Sequence, residues 1–182
     1  IIPQYHSPRA SFTAYLYGML KILKPILPIN ETDIQESIKG LFKLRDKISS
    51  YNLCEENPSL ELANWINGIP LIYYPWGLQS SAIRFKNSLQ ENGKTHVIAE
   101  DVVEACHNGI VSWEKKSNVK PILLQGKDDY DKTKERWKIL KEYFNTNEIK
   151  YKEIYSEKGS ILTKIINLIY LLDYTSIYYA IN

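Results

Sequence analysis

Cysteine is nearly missing from this chain. Cys54 and Cys106 are the only two in 182 residues, and neither belongs to a CxxC pair. That excludes a disulfide framework and a zinc ribbon, and both read as reduced thiols of a cytoplasmic protein. Histidine is scarce as well. His6, His96 and His107 lack the spacing of metal ligands, and no carboxylate cluster accompanies them. An excess of one charge is lacking: 23 Lys and Arg face 21 Asp and Glu, a net +2. Nothing electrostatic therefore argues for nucleic acid as a partner. No long uninterrupted apolar run occurs. The most apolar stretch, 161–181, is interrupted by Lys164 and Asp173. It is too short and too polar to span a bilayer, so no membrane is expected and a buried helix is. There is no secretory signal pattern at the start, no P-loop, no GxGxxG, no internal repeat and no low-complexity tract.

What is present suits one domain with a small helical appendage, long enough to bury a core without staples. Tyrosine is abundant, at fourteen, which reads as compositional bias rather than mechanism. Residues 9–24 carry apolar groups at helical spacing and stop at Pro25. Residues 31–50 form a second helix, with Thr32 or Asp33 as cap and one stripe of Ile34, Ile38, Leu41, Leu44 and Ile48. Asn57-Pro58 opens a third helix that ends at Asn67-Gly68.

The pattern then changes. "IPLIYYP" reads as a strand, "GLQSSAIRFKNSLQEN" as a helix, and "THVIAE" and "VKPILLQG" as strands. "DKTKERWKILKEYFN" reads as a solvated amphipathic helix, "IKYKEIYSE" as a strand, and a last apolar helix starts near Ser160. Strands alternating with helices predict an α/β fold with a parallel central sheet flanked by helices and preceded by two N-terminal helices. Ligands in such folds sit at the carboxyl ends of the strands. This places 75–81 and 100–108 on the functional edge, and lets the far end of the 78–91 helix reach a neighbouring site.

Four groups stand out. Gly77 permits a tight turn, and Ser80 and Ser81 follow it in the first turn of a helix. They would cradle an anion or sugar hydroxyls, or simply cap the helix. Glu91 lies at a helix carboxyl end, where the macrodipole disfavours a carboxylate. Proton abstraction beside a carbonyl exploits that tension, and a solvated Glu is the alternative. His107 titrates near neutrality and suits acid–base work, or is structural. Arg9 stands at a helix start, where a cation is electrostatically misplaced.

The segments "HSPRASFTAYLYGML", "NPSLELANWINGIPLIYYPWGLQSSAIRFKNSLQENGKTHV", "EACHNGIVSWE" and "SILTKIINLIYLLDYTSIYYA" occur in one order. Together they resemble the carboxyl-terminal part of the archaeal and bacterial bifunctional phosphoglucose/phosphomannose isomerases. The resemblance covers essentially the whole chain. It implies a sugar-isomerase (SIS) three-layer sandwich over 57–182, with 1–56 a helical segment and linker from the region between two subdomains.

The resemblance also implies roles. Glu91, in "QENGK", matches the base that shuttles a proton between C1 and C2 through a cis-enediolate. His107, in "CHNG", matches the ring-opening histidine, contributed across a dimer interface. Arg9, in "SPRAS", matches the arginine that stabilises the enediolate. Ser80, Ser81, Arg84 and Asn92 are the candidate substrate-binding residues. No metal or organic cofactor is required, and the expected partners are a sugar phosphate and a second copy of the chain. The family's glycine-rich turn, Ser/Thr-rich phosphate loop and lysine-bearing tail have no counterpart here. "QENGK" also replaces the usual "NENAK". The expectation is thus one portion of an isomerase acting on glucose 6-phosphate, mannose 6-phosphate and fructose 6-phosphate. The alternative is a SIS module that binds sugar phosphates and regulates without catalysis.

Overall fold

A computed structural model describes residues 7, 10–54 and 56–182. Its elements run α1 (Phe12–Leu23), α2 (Glu31–Ile48), α3 (Pro58–Trp65), β1 (Ile69–Tyr74), α4 (Gln79–Gly93), β2 (Ile98–Asp101) and α5 (Val102–Ala105). A 3₁₀ turn (Gly109–Glu114), β3 (Val119–Gly126), α6 (Asp131–Thr146), β4 (Lys152–Ser156) and α7 (Ile161–Ile181) follow. The four strands form one parallel sheet in the order β2-β1-β3-β4. β1 pairs with β2 from Leu71↔Ile98 to Tyr74↔Asp101 and with β3 from Ile69↔Val119, while β3 pairs with β4 from Ile122↔Lys152.

The strands are apolar on both faces because helices cover both. Successive side chains alternate between the faces. Ile72 and Tyr74 of β1 and Ile122 and Leu124 of β3 join one core, under α3, α4 and α7. Leu71, Tyr73 and Leu123 join the other, under α5 and α6. The SIS-type three-layer sandwich expected from the sequence is thus the fold observed.

α4 buries Ala82, Phe85 and Leu89, a stripe at three- and four-residue spacing. Burying Phe85 or Leu89 stabilises by roughly 1.5–3 kcal/mol each. The apolar run at the end becomes α7, buried along most of its length and capped by Ser160, whose Oγ accepts from Thr163 N–H. α7 also gathers the amino-terminal elements. Ser59 Oγ donates to Leu171 C=O at 2.8 Å, and Tyr178 O–H donates to Ile48 C=O at 2.6 Å. α2 approaches α7 so closely that a Cβ on Gly40 would lie 2.7 Å from the Asn167 amide. Among the described residues no helix is long and apolar enough to cross a membrane.

Local details depart from the expectations. α2 starts earlier than Thr32 or Asp33 would set it. Asn30 is the N-cap, and Asp33 instead accepts from the Asn30 backbone N–H at 3.0 Å. β2 begins at Ile98, so His96 lies in the exposed loop before the strand rather than inside it. α5 and the 3₁₀ turn were not expected, being too short to carry a periodicity of their own. α1 buries none of its residues.

Candidate functional site

At the carboxyl edge of the sheet, β1 ends at Tyr74 and β2 at the paired Asp101. The chain turns through Pro75-Trp76-Gly77, closed by Leu78 N–H to Pro75 C=O at 3.1 Å. Gly77 has φ +95°, a backbone conformation glycine takes without strain. α4 then starts, its first i→i−4 bond running from Ala82 N–H to Leu78 C=O. A cavity of about 360 Å³ opens here, lined by Tyr74, Trp76, Gly77, Gln79, Ser80 and Asp101. Trp76 stands 94% exposed at its rim. One oxygen of Asp101 accepts from Val103 N–H at 2.7 Å and caps α5. Of the two serines, Ser80 lines the cavity. Ser81 is fully buried, and its Oγ donates to Ile165 C=O of α7 at 3.3 Å.

The remaining candidates of α4 point elsewhere. Arg84, Ser88 and Glu91 share one face at four- and three-residue spacing. Arg84 Nη2 lies 2.6 Å from Asp173 Oδ2 and its Nε 3.0 Å. Phe12 covers the guanidinium at 4.1 Å from its ring centre, and Ser88 Oγ donates to Asp173 Oδ1 at 3.0 Å. Arg84 is therefore engaged by α7 and α1. Asn92 Nδ2 donates to Ser176 Oγ at 2.9 Å. Glu91 is exposed, and its backbone carbonyl accepts from Lys94 Nζ at 2.7 Å. The helix runs through Asn92-Gly93, and Lys94 takes the left-handed conformation at φ 52°. Gly93 is needed for space instead: a Cβ there would sit 2.5 Å from the Tyr179 ring. Arg9 lies outside the described residues. Ser7 and Ala10, with Phe12, Arg84, Asp173 and Tyr174, border a second cavity of about 310 Å³.

His107 follows α5 and is exposed, its N–H donating to Glu104 C=O at 3.0 Å. It is on the carboxyl edge, six residues beyond Asp101. α4 runs back from that edge, and at 1.5 Å per residue Ser80 and Glu91 are about 16 Å apart along its axis. Glu91 thus sits toward the amino ends of the strands. A single chain does not bring Glu91 and His107 together, and it separates Ser80 from both Glu91 and Asn92.

Three titratable groups that the sequence reading missed, Tyr73, Glu100 and Cys106, lie on or just beyond β1, β2 and α5. Burial, with the neighbouring carboxylates of Glu104 and Asp101, raises Glu100 above the usual carboxylate range. Burial pushes the Cys106 thiol up, which leaves it a poor nucleophile. Burial also raises the Tyr73 hydroxyl, which accepts from Trp113 Nε1–H at 3.1 Å. Only the local "EDVVE" run hinted at this acidity.

Residues 55–182 match the family model described as bacterial phospho-glucose isomerase C-terminal SIS domain. A bifunctional phosphoglucose/phosphomannose isomerase of Caldicellulosiruptor bescii is 29% identical, covering 98% of this chain and 55% of that protein. The enzyme of the same name from Aquifex aeolicus is 23% identical, over 97% of this chain and 54% of its own length. The chain spans about half the length of these curated relatives. A glucose-6-phosphate isomerase like protein from Thermus thermophilus has the same fold, with a TM-score of 0.74 at 18% identity over 96% of this chain and 58% of that one.

Proposed function

Because the chain belongs to the family of bacterial phospho-glucose isomerase C-terminal SIS domains, we propose that it contributes the proton-transfer half of an aldose–ketose isomerase. The substrates are glucose 6-phosphate and mannose 6-phosphate, converted to fructose 6-phosphate in the cytoplasm. Residues 1–56 act as the segment joining two subdomains and 57–182 as the SIS unit. One observation carries the reading. Glu91 is exposed at the end of α4, on the opposite edge of the sheet from His107. This supports the arrangement the resemblance implies, in which His107 comes from a second copy.

In that site Glu91 of one copy removes the proton at C2 of the open aldose and returns it at C1, while the O2 hydroxyl proton passes to O1 and the carbonyl reforms at C2. The electron pair released at C2 forms the enediolate double bond, and negative charge builds on oxygen. The resemblance assigns Arg9 to that charge, since an ionic donor is worth most where charge develops. Asn92, held by Ser176, borders the base. Arg84, clamped by Asp173 and Phe12, fixes the face of α4 that carries Glu91. His107 of the second copy moves the proton that opens the ring. No metal or organic cofactor takes part.

The test is conversion of fructose 6-phosphate followed by NMR, with this chain alone and with the remaining portion of the Caldicellulosiruptor bescii relative added. Turnover is expected with both parts present. Glu91→Gln should then cost about 10²-fold or more in kcat with sugar-phosphate binding retained. An unchanged kcat in Glu91→Gln removes the base assignment. Binding without turnover under every condition favours a regulatory module.

A further inference from the structure

We infer that the cavity at the carboxyl edge is a second sugar site, separate from the one containing Glu91, and that it takes an uncharged ring. Its volume of about 360 Å³ falls at the lower end of small-molecule sites. Ser80 at its rim lies about 16 Å along α4 from Glu91, too far for one hexose phosphate to engage both. The two places are thus distinct within a chain.

The lining has the chemistry of sugar recognition. Trp76 is 94% exposed, a large apolar plane kept in water at the rim of a hollow that mixes apolar and polar groups. A pyranose ring offers a C–H face that covers such a plane, and the indole N–H remains available to a hydroxyl. Gln79 brings amide donors and an acceptor, and Ser80 a hydroxyl that serves as either. Asp101 spends one oxygen on capping α5 and has a second with which to accept from sugar hydroxyls, a charge-assisted bond stronger than a neutral one.

Charge decides between a free sugar and its phosphate ester. No Lys or Arg is among the described residues lining the cavity, and Asp101 is. Asp101 and Glu104 each lie close enough to Glu100 to act on its charge. The amino terminus of α4 brings only about half a positive charge, less than the full negative charge of Asp101, so a phosphate dianion would meet net repulsion here. An uncharged ring meets none, so this site selects the unphosphorylated form, the reverse of the preference proposed for the Glu91 site.

The experiment is a titration of the 182-residue chain with glucose, and separately with glucose 6-phosphate, following the Trp76 indole ¹H–¹⁵N resonance. Glucose is expected to shift it with an affinity on the order of millimolar, and the phosphate ester about three-fold or more weakly. Trp76→Ala and Asp101→Asn should each weaken glucose binding by about five-fold or more. Asparagine still caps α5, and Trp76 is not part of the core, so circular dichroism should not change. Glu91→Gln should leave the glucose titration as it was. No shift at saturating glucose, a tighter phosphate ester at this resonance, or wild-type binding by both cavity variants overturns the inference. Loss of the shift in Glu91→Gln overturns the separation of the two sites. A failure to isomerise does not touch it.

Discussion

Arg84 on α4 and Asp173 on α7 are joined at 2.6 Å, both about one-fifth exposed, with Phe12 of α1 stacked on the guanidinium. One side chain thereby ties three helices together. Asp173→Asn keeps the shape and removes the charge, so a cation is left partly desolvated. About 1–3 kcal/mol of stability should be lost. Arg84→Lys should lose a similar amount, because an ammonium replaces neither the second donor nor the stacked plane. Urea denaturation measures both. Losses under about 0.5 kcal/mol would make the pair incidental.

The separation of Glu91 from His107 gives a complementation test in the two-part assembly. Glu91→Gln and His107→Ala should each be inactive alone. Mixed, they should recover about a quarter of wild-type turnover, because mixed dimers then hold one intact site. No recovery would mean that the two side chains do not work across an interface.

Glu100 supplies a pH dependence of stability. Its folded-state pKa is raised by burial and by two carboxylate neighbours. The folded chain therefore holds this proton at pH values where the unfolded chain has lost it. Stability falls as pH rises from the ordinary carboxylate value, near about 4, through the raised one. Glu100→Gln removes that loss, so its stability relative to wild type should improve between about pH 4 and about pH 7. Urea midpoints at both pH values check this. An equal difference at the two would contradict it.

The resemblance implies a second copy of the chain as partner, and the fold offers a surface for it. α7 is covered by the rest of the chain, whereas Tyr15, Met19 and Ile22 of α1 and Ile26 beyond it form an exposed stripe at helical spacing. A contiguous apolar patch of this kind marks an interface. The chain should sediment above its 21.2 kDa monomer mass at high concentration, and Met19→Glu with Ile22→Glu should shift it toward monomer. A monomeric profile at every concentration would contradict this.

The long elements were legible because their periods are long. The strands of β1 and β3 and the stripes of α4 and α7 repeat often enough to exclude alternatives. β2 has four residues and α5 another four, too few to set their own limits, and His96 was misplaced for that reason. The cap of α2 was misread because Asp33 and Asn30 bond each other, and either residue alone looks like the cap. The partner of Arg84 lies 89 residues away, a contact that only the packing of α4 on α7 creates. Spacing likewise identified Glu91 and His107 as chemically suited residues. It also let the far end of α4, with Glu91, reach a neighbouring site away from the edge that carries His107. It did not show that Ser81 spends its hydroxyl on α7 while Ser80, next to it, lines a cavity.

The position of α7 in the chain bears on how the molecule is made. It is the last described element to leave the ribosome, yet it closes the core over α2, α3 and α4. Until residues 161–181 emerge, the core between the sheet and α2, α3 and α4 is only partly covered. A nascent chain with its first six α-helices and all four strands, but without α7, is therefore a sticky intermediate. Its first stable shape comes all at once, after synthesis of this unit is nearly complete, rather than by growing from the amino end. Chaperone demand during translation should peak just before α7 appears.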